Sequence, residues 1–312
     1  MENQTFATEF IILGFSTGPS MQFFMFGIFS VIYTVSLIGN ALVFVVICHN
    51  SQLHTPMYFF LCHLSILDIC YASSNAPHIL GNLLLQRKTI SFVGCGTQIY
   101  LYMALALTEC VLLAVMSYDR YVAICHPLRY NVIMNWRVCT TMVACSWTCG
   151  FLFGAIQVGL TLRLPFCGLN EVDHFFCELL AVLKLACADI TINQTVIFTA
   201  CVLILLFPFL LVIVSYLHIL ATILHIHSAA ARHKTFSTCS SYVTVVGLYY
   251  GTAISMYLGP ITSRSALREK ILSLFYSFIN PMLNALIYSL RNEQVKGALV
   301  KVLRRERSFP ST

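Results

Sequence analysis

The stretch 116–125, MSYDRYVAIC, closes a long apolar run that opens near Gly96. It sets an acid and a guanidinium, Asp119 and Arg120, side by side at the end of that run, and Glu109 is the only other charge within it. An arginine at a membrane edge can extend its head to water, so position alone leaves two readings, an anchored helix end and a functional cation. From Tyr102 to Glu109 is seven residues and from Glu109 to Arg120 eleven, close to two and three turns at about 3.6 residues per turn. The three therefore share one face of one helix. At about 1.5 Å per residue the distance from Tyr102 to Arg120 is roughly 27 Å, about one hydrocarbon core. One face thus carries a phenol near one surface, an acid at mid-depth and a cation near the other, able to link the two sides of a membrane. A second acid, Asp68, also lies at mid-depth, and no lysine or arginine stands at similar depth in any apolar run. Two carboxylates in a low dielectric must be protonated, hydrogen-bonded or neutralised by a cation. Asn40, Ser65 and Asn284 could supply further oxygens.

Holding these groups requires helices that cross a membrane. The chain has 312 residues, 58% hydrophobic and 10% charged, with a mean hydropathy of +0.81, whereas soluble domains carry about 25% charged residues. An all-α integral membrane protein is expected, because the apolar runs last about 20 residues and do not alternate as barrel strands do. Seven runs are long enough to span: 23–48, 57–80, 96–124, 138–160, 196–224, 236–259 and 269–290. They imply a tail of 1–22, a seven-helix domain of 23–290 with one long polar loop at 161–195, and a final segment of 291–312. The first run follows a polar start and is too long for a signal-peptide core, so it should act as an uncleaved insertion signal. In the final segment Val295, Leu299, Val302 and Leu303 recur at helical spacing, with Lys296, Lys301, Arg304 and Arg305 on other faces. A short amphipathic helix on the membrane surface is expected there.

Lysine and arginine set the orientation. With the N-terminus outside, eleven fall on cytoplasmic segments and seven on outer ones, a moderate bias. Two glycosylation sequons agree with it, at Asn3 and at Asn193, the second close to the membrane. Ten of the fourteen cysteines lie in or beside apolar runs, where a free thiol behaves as a small hydrophobe. The other four, Cys95, Cys167, Cys177 and Cys187, belong to the oxidising side and allow three pairings. The stretch His174–Phe175–Phe176–Cys177–Glu178 has the spacing of a soft-metal site, which a disulfide at Cys177 would abolish.

Seven helices with an Asp-Arg-Tyr end to the third resemble a rhodopsin-like G-protein-coupled receptor. MSYDRYVAICHPLRY (116–130), HTPMYFFL (54–61), LSILD (64–68), KTFSTCSSY (234–242) and PMLNALIYSLRN (281–292) together resemble an olfactory receptor, and TAISMY (252–257) resembles the tetrapod-type class of that family. The resemblance implies a plasma-membrane receptor for a small volatile odorant, coupled to a stimulatory or olfactory-type heterotrimeric G protein that raises cyclic AMP. Its partners are then the odorant, the G protein and membrane lipid, with no nucleic acid. It implies that Arg120, flanked by Asp119 and Tyr121, locks the inactive state and later contacts the G protein. Tyr216 and Tyr288 would hold the active state, against the plainer reading of aromatic belting at the interface. Lys234 and Ser237, at the start of the sixth helix, would serve coupling. It implies the pairings Cys95–Cys177 and Cys167–Cys187, with the loop drawn over the bundle mouth as a lid. It also implies a sodium-type site at Asp68 and Glu109 with Asn40 and Asn284, since hard oxygens suit a hard cation. The alternative is a pair of protonated, hydrogen-bonded acids; no other cofactor is expected. One position departs from the family: Ala285 follows Asn284 where proline is usual. Alanine should straighten that turn and leave Pro281 to move any kink.

In this receptor class the ligand lies between helices three, five, six and seven. The facing residues are Tyr102, Met103, Ala106, Leu107 and Cys110 on the third, Ala200, Cys201 and Ile204 on the fifth, Tyr250, Ile254 and Tyr257 on the sixth, and Leu274 and Ser277 on the seventh. The set is apolar with a few hydroxyls, so a neutral lipophilic ligand is expected, held by dispersion and one hydrogen bond to Tyr257 or Tyr102. A transporter or channel would need polar residues on several helices or an internal repeat, and neither is evident. A membrane enzyme would need a motif such as HExxH or GxSxG, and the chain has none.

Overall fold

The computed structural model describes residues 8–15, 18–85, 88–168, 170–225, 228–258 and 265–291, with Val295 and Gly297; the side chains of 231, 234, 237, 238, 241 and 289–291 are excepted. Seven long helices form the bundle: α1 Pro19–His49, α2 Pro56–Leu84, α3 Phe92–Cys125, α4 Trp136–Leu162, α5 Thr191–Leu224, α6 Ala229–Tyr257 and α7 Ala266–Arg291. Six of them are apolar and long enough to cross a membrane. The other, α6, has 29 residues, enough to span, but carries Ser, Thr, Gly and Tyr along its length. Proline opens α1 and α2, where its missing N–H costs nothing. Ser91 and Asn135 cap α3 and α4 by accepting from the N–H groups of Gly94 and Val138 at 3.1 Å.

Helix α3 is the axis of the bundle, buried along most of its length. Its closest neighbour is α4, and the reason is a small-residue seam. A Cβ on Gly150 would collide with Thr108 and the Ala104 carbonyl, and one on Gly154 would sit 3.1 Å from Ala104. Lipid tails give apolar helices no hydrophobic reason to associate, so close backbone approach is what holds such a pair. Helices α1 and α7 meet the same way, with a Cβ on Gly39 landing 2.8 Å from that of Ala285. This gives the alanine at 285 a packing role.

Two helices are irregular. In α5 the residues Cys201–Leu206 form a π-helical segment ahead of Pro208, and in α7 Phe275–Ile279 do the same ahead of Pro281. The distortion in α7 is thus a π segment directly before the proline, followed by regular helix over Asn280–Arg291.

One end of the bundle is closed by a lid. Strand β1 (Glu9–Ile12) is the centre of a three-stranded sheet, antiparallel to β2 (Thr89–Ser91) and parallel to β3 (Glu171–Val172). Its alternation turns Phe10 and Ile12 inward, both fully buried. The N-terminal tail, expected only as an extracellular tail, therefore contributes Glu9–Ile12 to the lid. Of the final amphipathic helix only Val295 and Gly297 are described; the rest, and Asn3, lie outside the described residues.

Candidate functional site

The lid is tied down at every side. Cys95 at the start of α3 is bonded to Cys177, and Cys167 to Cys187. Gln98 accepts from the Cys177 N–H at 2.9 Å. Lys270 of α7 reaches Asp173 at 2.6 Å and the Gly14 carbonyl at 2.7 Å, while Lys184 pairs with Glu269 at 2.8 Å. With Cys177 in a disulfide the soft-metal set at 174–178 loses its thiolate, and no cluster of three or more metal-ligating side chains occurs among the described residues. His174 lies between Phe175 and Phe176, fully buried, with both ring nitrogens unpartnered. Burial, and then the charge on Lys270, push its pKa down to about 3. Asn193 is buried against α4 and donates to Thr161 Oγ1 at 3.4 Å, which leaves its amide no room for a glycan.

Glu178 links the lid to the bundle. Its carboxylate caps the short buried helix Leu179–Leu183, accepting from Ala181 N–H at 2.9 Å. Its other oxygen accepts from Tyr257 Oη at 3.4 Å. Burial pushes its pKa up to about 7, which the Ala181 N–H partly opposes.

Directly beneath lies a cavity of about 30 Å³. Met103, Ala106, Leu107 and Cys110 of α3, Ala200 and Cys201 of α5 and Tyr257 of α6 line it, all expected there. So do Gln157, Ile197, Leu205, Ala253 and Tyr276, which sequence reasoning missed. Gln157 comes from α4, a helix not assigned to the pocket, and its Oε1 is buried without a partner. Both π segments supply walls, Cys201 and Leu205 from one and Tyr276 from the other.

Six expected residues stand off this cavity. Tyr102 is buried in an aromatic cluster with Tyr71, Phe176 and Tyr276, at ring distances of 5.1–6.3 Å. Tyr250 turns its hydroxyl to the Cys110 carbonyl at 2.6 Å and stacks on Phe209. Ile204 is buried within the α5 π segment, and Ile254 and Leu274 pack at the edge of the core. Ser277 is buried with its hydroxyl unpartnered, also off the cavity.

Tyr250 is one rung of three. Tyr249 donates to the Ala106 carbonyl at 2.6 Å and Tyr242 to that of Leu113. These phenols bind α6 to the α3 backbone, whose carbonyls have a second lone pair free for them. Their spacing, with Tyr257, keeps one helical face and was a legible signal.

Below the cavity the two acids meet. Asn284 Nδ2 donates to Asp68 Oδ1 at 3.1 Å and to Glu109 Oε1 at 3.2 Å, with all three buried. Asp68 Oδ2 has no partner, and Ser65 is buried nearby on α2. Asn40 does not join them: its amide donates to the Ser36 and Pro281 carbonyls at 3.0 and 3.1 Å. The bond to Pro281 ties α1 to α7 at the proline.

At the far end Asp119 and Arg120 part company. Asp119 accepts from Tyr130 Oη at 2.8 Å, while Arg120 has no carboxylate partner among the described residues. Burial and the neighbouring Asp119 raise the Tyr130 phenol pKa. Arg120 stands within electrostatic reach of Tyr216, Tyr242, Tyr288 and Cys239. The Tyr216 and Tyr288 hydroxyls are buried without partners, and Tyr216 stacks on Tyr242 at 5.5 Å. Tyr121 pairs with His126 at 3.1 Å. Lys234 and Ser237 lie on α6, their side chains outside the description.

A profile of the family described as "Olfactory receptor" matches residues 29–306. Olfactory receptor 2A2 of Homo sapiens is 56% identical over 307 residues, 98% of this chain and 96% of that protein. Olfactory receptor 2A5 of Homo sapiens is 58% identical over 308 residues, 98% and 99% of the two chains. Olfactory receptor 2A7 of Mus musculus is 54% identical over 307 residues, again 98% and 99%.

Proposed function

The chain belongs to the olfactory receptor family of odorant-sensing G-protein-coupled receptors, and on that premise we propose that it binds a small, neutral, lipophilic volatile beneath the lid and activates a stimulatory, olfactory-type G protein to raise cyclic AMP. The observation that carries this is the apolar cavity under the lid, set above a buried polar cluster and Arg120 along a single helix, α3.

A cavity of about 30 Å³ holds roughly one water, whereas a cavity that takes benzene is about 150 Å³. Ligand entry must therefore enlarge it, and the two π segments are where its walls give way. A π segment carries an extra residue in one turn and tends to occur where helices change register at functional sites. Two polar groups select the ligand. Gln157 Oε1 accepts, and the Tyr257 hydroxyl donates once it turns from Glu178 to the ligand, so a volatile alcohol fits better than a bare hydrocarbon. Dispersion from Met103, Leu107 and Ile197 supplies the rest. Affinity is modest because such ligands bring few atoms.

Enlargement next to Cys110 disturbs the α3 turn that also bears Glu109. Asn284 joins Glu109 to Asp68 through its amide Nδ2, a donor and no cation ligand; the two carboxylates would hold a sodium-type cation, or protons neutralise them. Asn40 supports it through the Pro281 carbonyl. With Asp119 held by Tyr130, the Arg120 guanidinium is free to meet the G protein once α6 swings out, and Tyr216 and Tyr288 then take up its donors. The lid faces the outside, the Arg120 end the cytoplasm, and the receptor resides in the plasma membrane.

The test is a cyclic AMP readout in cells that display the receptor, challenged with volatile alcohols. Arg120→Ala should abolish the response with surface level retained. An unaltered response in that variant would remove the switch role from Arg120.

A further inference from the structure

Toward the Arg120 end, α5 and α6 part and leave an open groove of about 560 Å³. On α5 it is lined by Phe209, Val212, Tyr216, Leu220 and Ile223, and on α6 by Phe236, Ser240, Val243 and Gly247. Both sets follow the spacing of one helical face. From Phe209 to Ile223 the groove runs for about 21 Å at 1.5 Å per residue, more than the hydrocarbon half of one leaflet. Its upper end is open because position 247 is glycine, where a Cβ would meet nothing within 4 Å. The rims, Leu217 and Val243, are exposed to whatever surrounds the bundle. In a membrane-spanning bundle that surrounding is lipid.

One more turn along the same α6 face, four residues before Phe236, stands Arg232. It is exposed, and its backbone N–H is used by Ser228 while its guanidinium has no carboxylate partner among the described residues. An apolar channel deep enough for a hydrocarbon chain thus ends at a cation at membrane-surface level. A neutral sterol would use the channel and leave the arginine idle. A phospholipid with a negative head uses both.

We propose that the α5–α6 groove is a binding site for an anionic phospholipid, one acyl chain lying along Tyr216 and Gly247 and the phosphate-bearing head paired with Arg232. The lipid comes from the leaflet at the Arg120 end, the cytoplasmic and anionic one in the orientation given above. An arginine near a charged surface is worth about fivefold in lipid partition. The hydrocarbon chain gives depth and the arginine gives head-group choice, so the two contributions separate by mutation.

The full-length receptor in nanodiscs of phosphatidylcholine with about one-fifth phosphatidylserine would be photolabelled with a phosphatidylserine carrying a diazirine in its acyl chain, and the labelled peptides mapped. A matched phosphatidylcholine probe serves as the comparison. Labelling should concentrate on 209–223 and 236–247 and exceed that on the exposed α4 residues Leu152 and Ile156. Gly247→Phe should cut groove labelling about fivefold; Thr244→Phe, on the exposed side of the same wall, serves if that variant fails to fold. Arg232→Ala should keep the chain label and remove the preference for serine over choline heads. Even labelling of all exposed faces, unchanged labelling in both filled variants, or an undiminished preference for serine heads in Arg232→Ala would overturn the assignment. So would cross-linking of a second receptor copy through the groove. No odorant or G protein enters the assay, so its failure is distinct from failure of the receptor mechanism.

Discussion

The lid end and the Arg120 end of this bundle are built on opposite plans. The lid is cross-linked by two disulfides, two ion pairs and a three-stranded sheet that takes in the N-terminal tail. Under it α5 and α6 close on a cavity of about 30 Å³. At the other end the same two helices separate around about 560 Å³, and the described polar ties are single hydrogen bonds such as Tyr130 to Asp119. One end is fixed by covalent and ionic bonds. The other has a cation ringed by tyrosines, of which Tyr216 and Tyr288 have hydroxyls without partners. A small change under a rigid lid is then released where little opposes it.

The largest break in this comparison comes from the lid. Cys177→Ala frees the loop from α3 and should cost about 2–5 kcal/mol. Surface abundance should collapse, and a receptor that reaches the surface normally would show that the lid's other ties suffice.

Next come the phenol rungs on α3. Paired Tyr249→Phe and Tyr250→Phe should lower stability by about 2 kcal/mol, near 1 for each lost hydrogen bond, read as thermal unfolding in detergent. Tyr242→Phe removes only the rung near Arg120. It should cost about 1 kcal/mol yet raise ligand-independent cyclic AMP, because that end is the one free to open. Equal basal signalling in the upper and lower variants would erase the distinction between the two ends.

A smaller effect sharpens the cavity. Gln157→Leu deletes the buried acceptor, and the preference for an alcohol over its methyl ether should fall by about 1 kcal/mol, roughly fivefold in half-maximal concentration. An undiminished preference would place the ligand hydroxyl elsewhere.

The smallest is in the lid's pH response. The folded pKa of Glu178 is raised from 4.5 to about 7. Its contribution to lid stability is therefore complete below 4.5 and lost as pH rises through about 7. Amide exchange over 179–183, corrected for its intrinsic rate, should quicken from about pH 4.5 and level off above about pH 7. Glu178→Gln should flatten that rise, and an unchanged rise would assign it to another group.

Much of this was written in residue type and phase. The face of α3 that carries Tyr102, Glu109 and Arg120 follows from spacing alone, and the helices follow from apolar runs. What spacing could not give was any bond whose acceptor is backbone. Tyr250 looks like a pocket residue in the sequence, and only the Cys110 carbonyl explains why it is not. Asn40 looks like a cation ligand for the same reason, yet its amide is taken up by the Ser36 and Pro281 carbonyls. Gln157 was hidden because α4 bears no charge at mid-depth and the resemblance places the ligand between the other helices. The two strands at 9–12 and 89–91 were too short for periodicity to register. The cysteine pairings needed a family resemblance, since four cysteines by themselves leave three solutions.

The claim that the odorant acts from the cavity under the lid is met most directly by filling it. Ala106 lines that space, and the ring of Ala106→Phe, larger than the cavity itself, would stand where the ligand is proposed to bind. Cyclic AMP concentration–response curves for a volatile alcohol agonist, in cells with matched surface levels of the original chain and the variant, carry the test. Loss of the concentration dependence in Ala106→Phe, with basal signalling equal to or above that of the original chain, is the predicted result. A half-maximal concentration and a maximum equal to those of the original chain would contradict it.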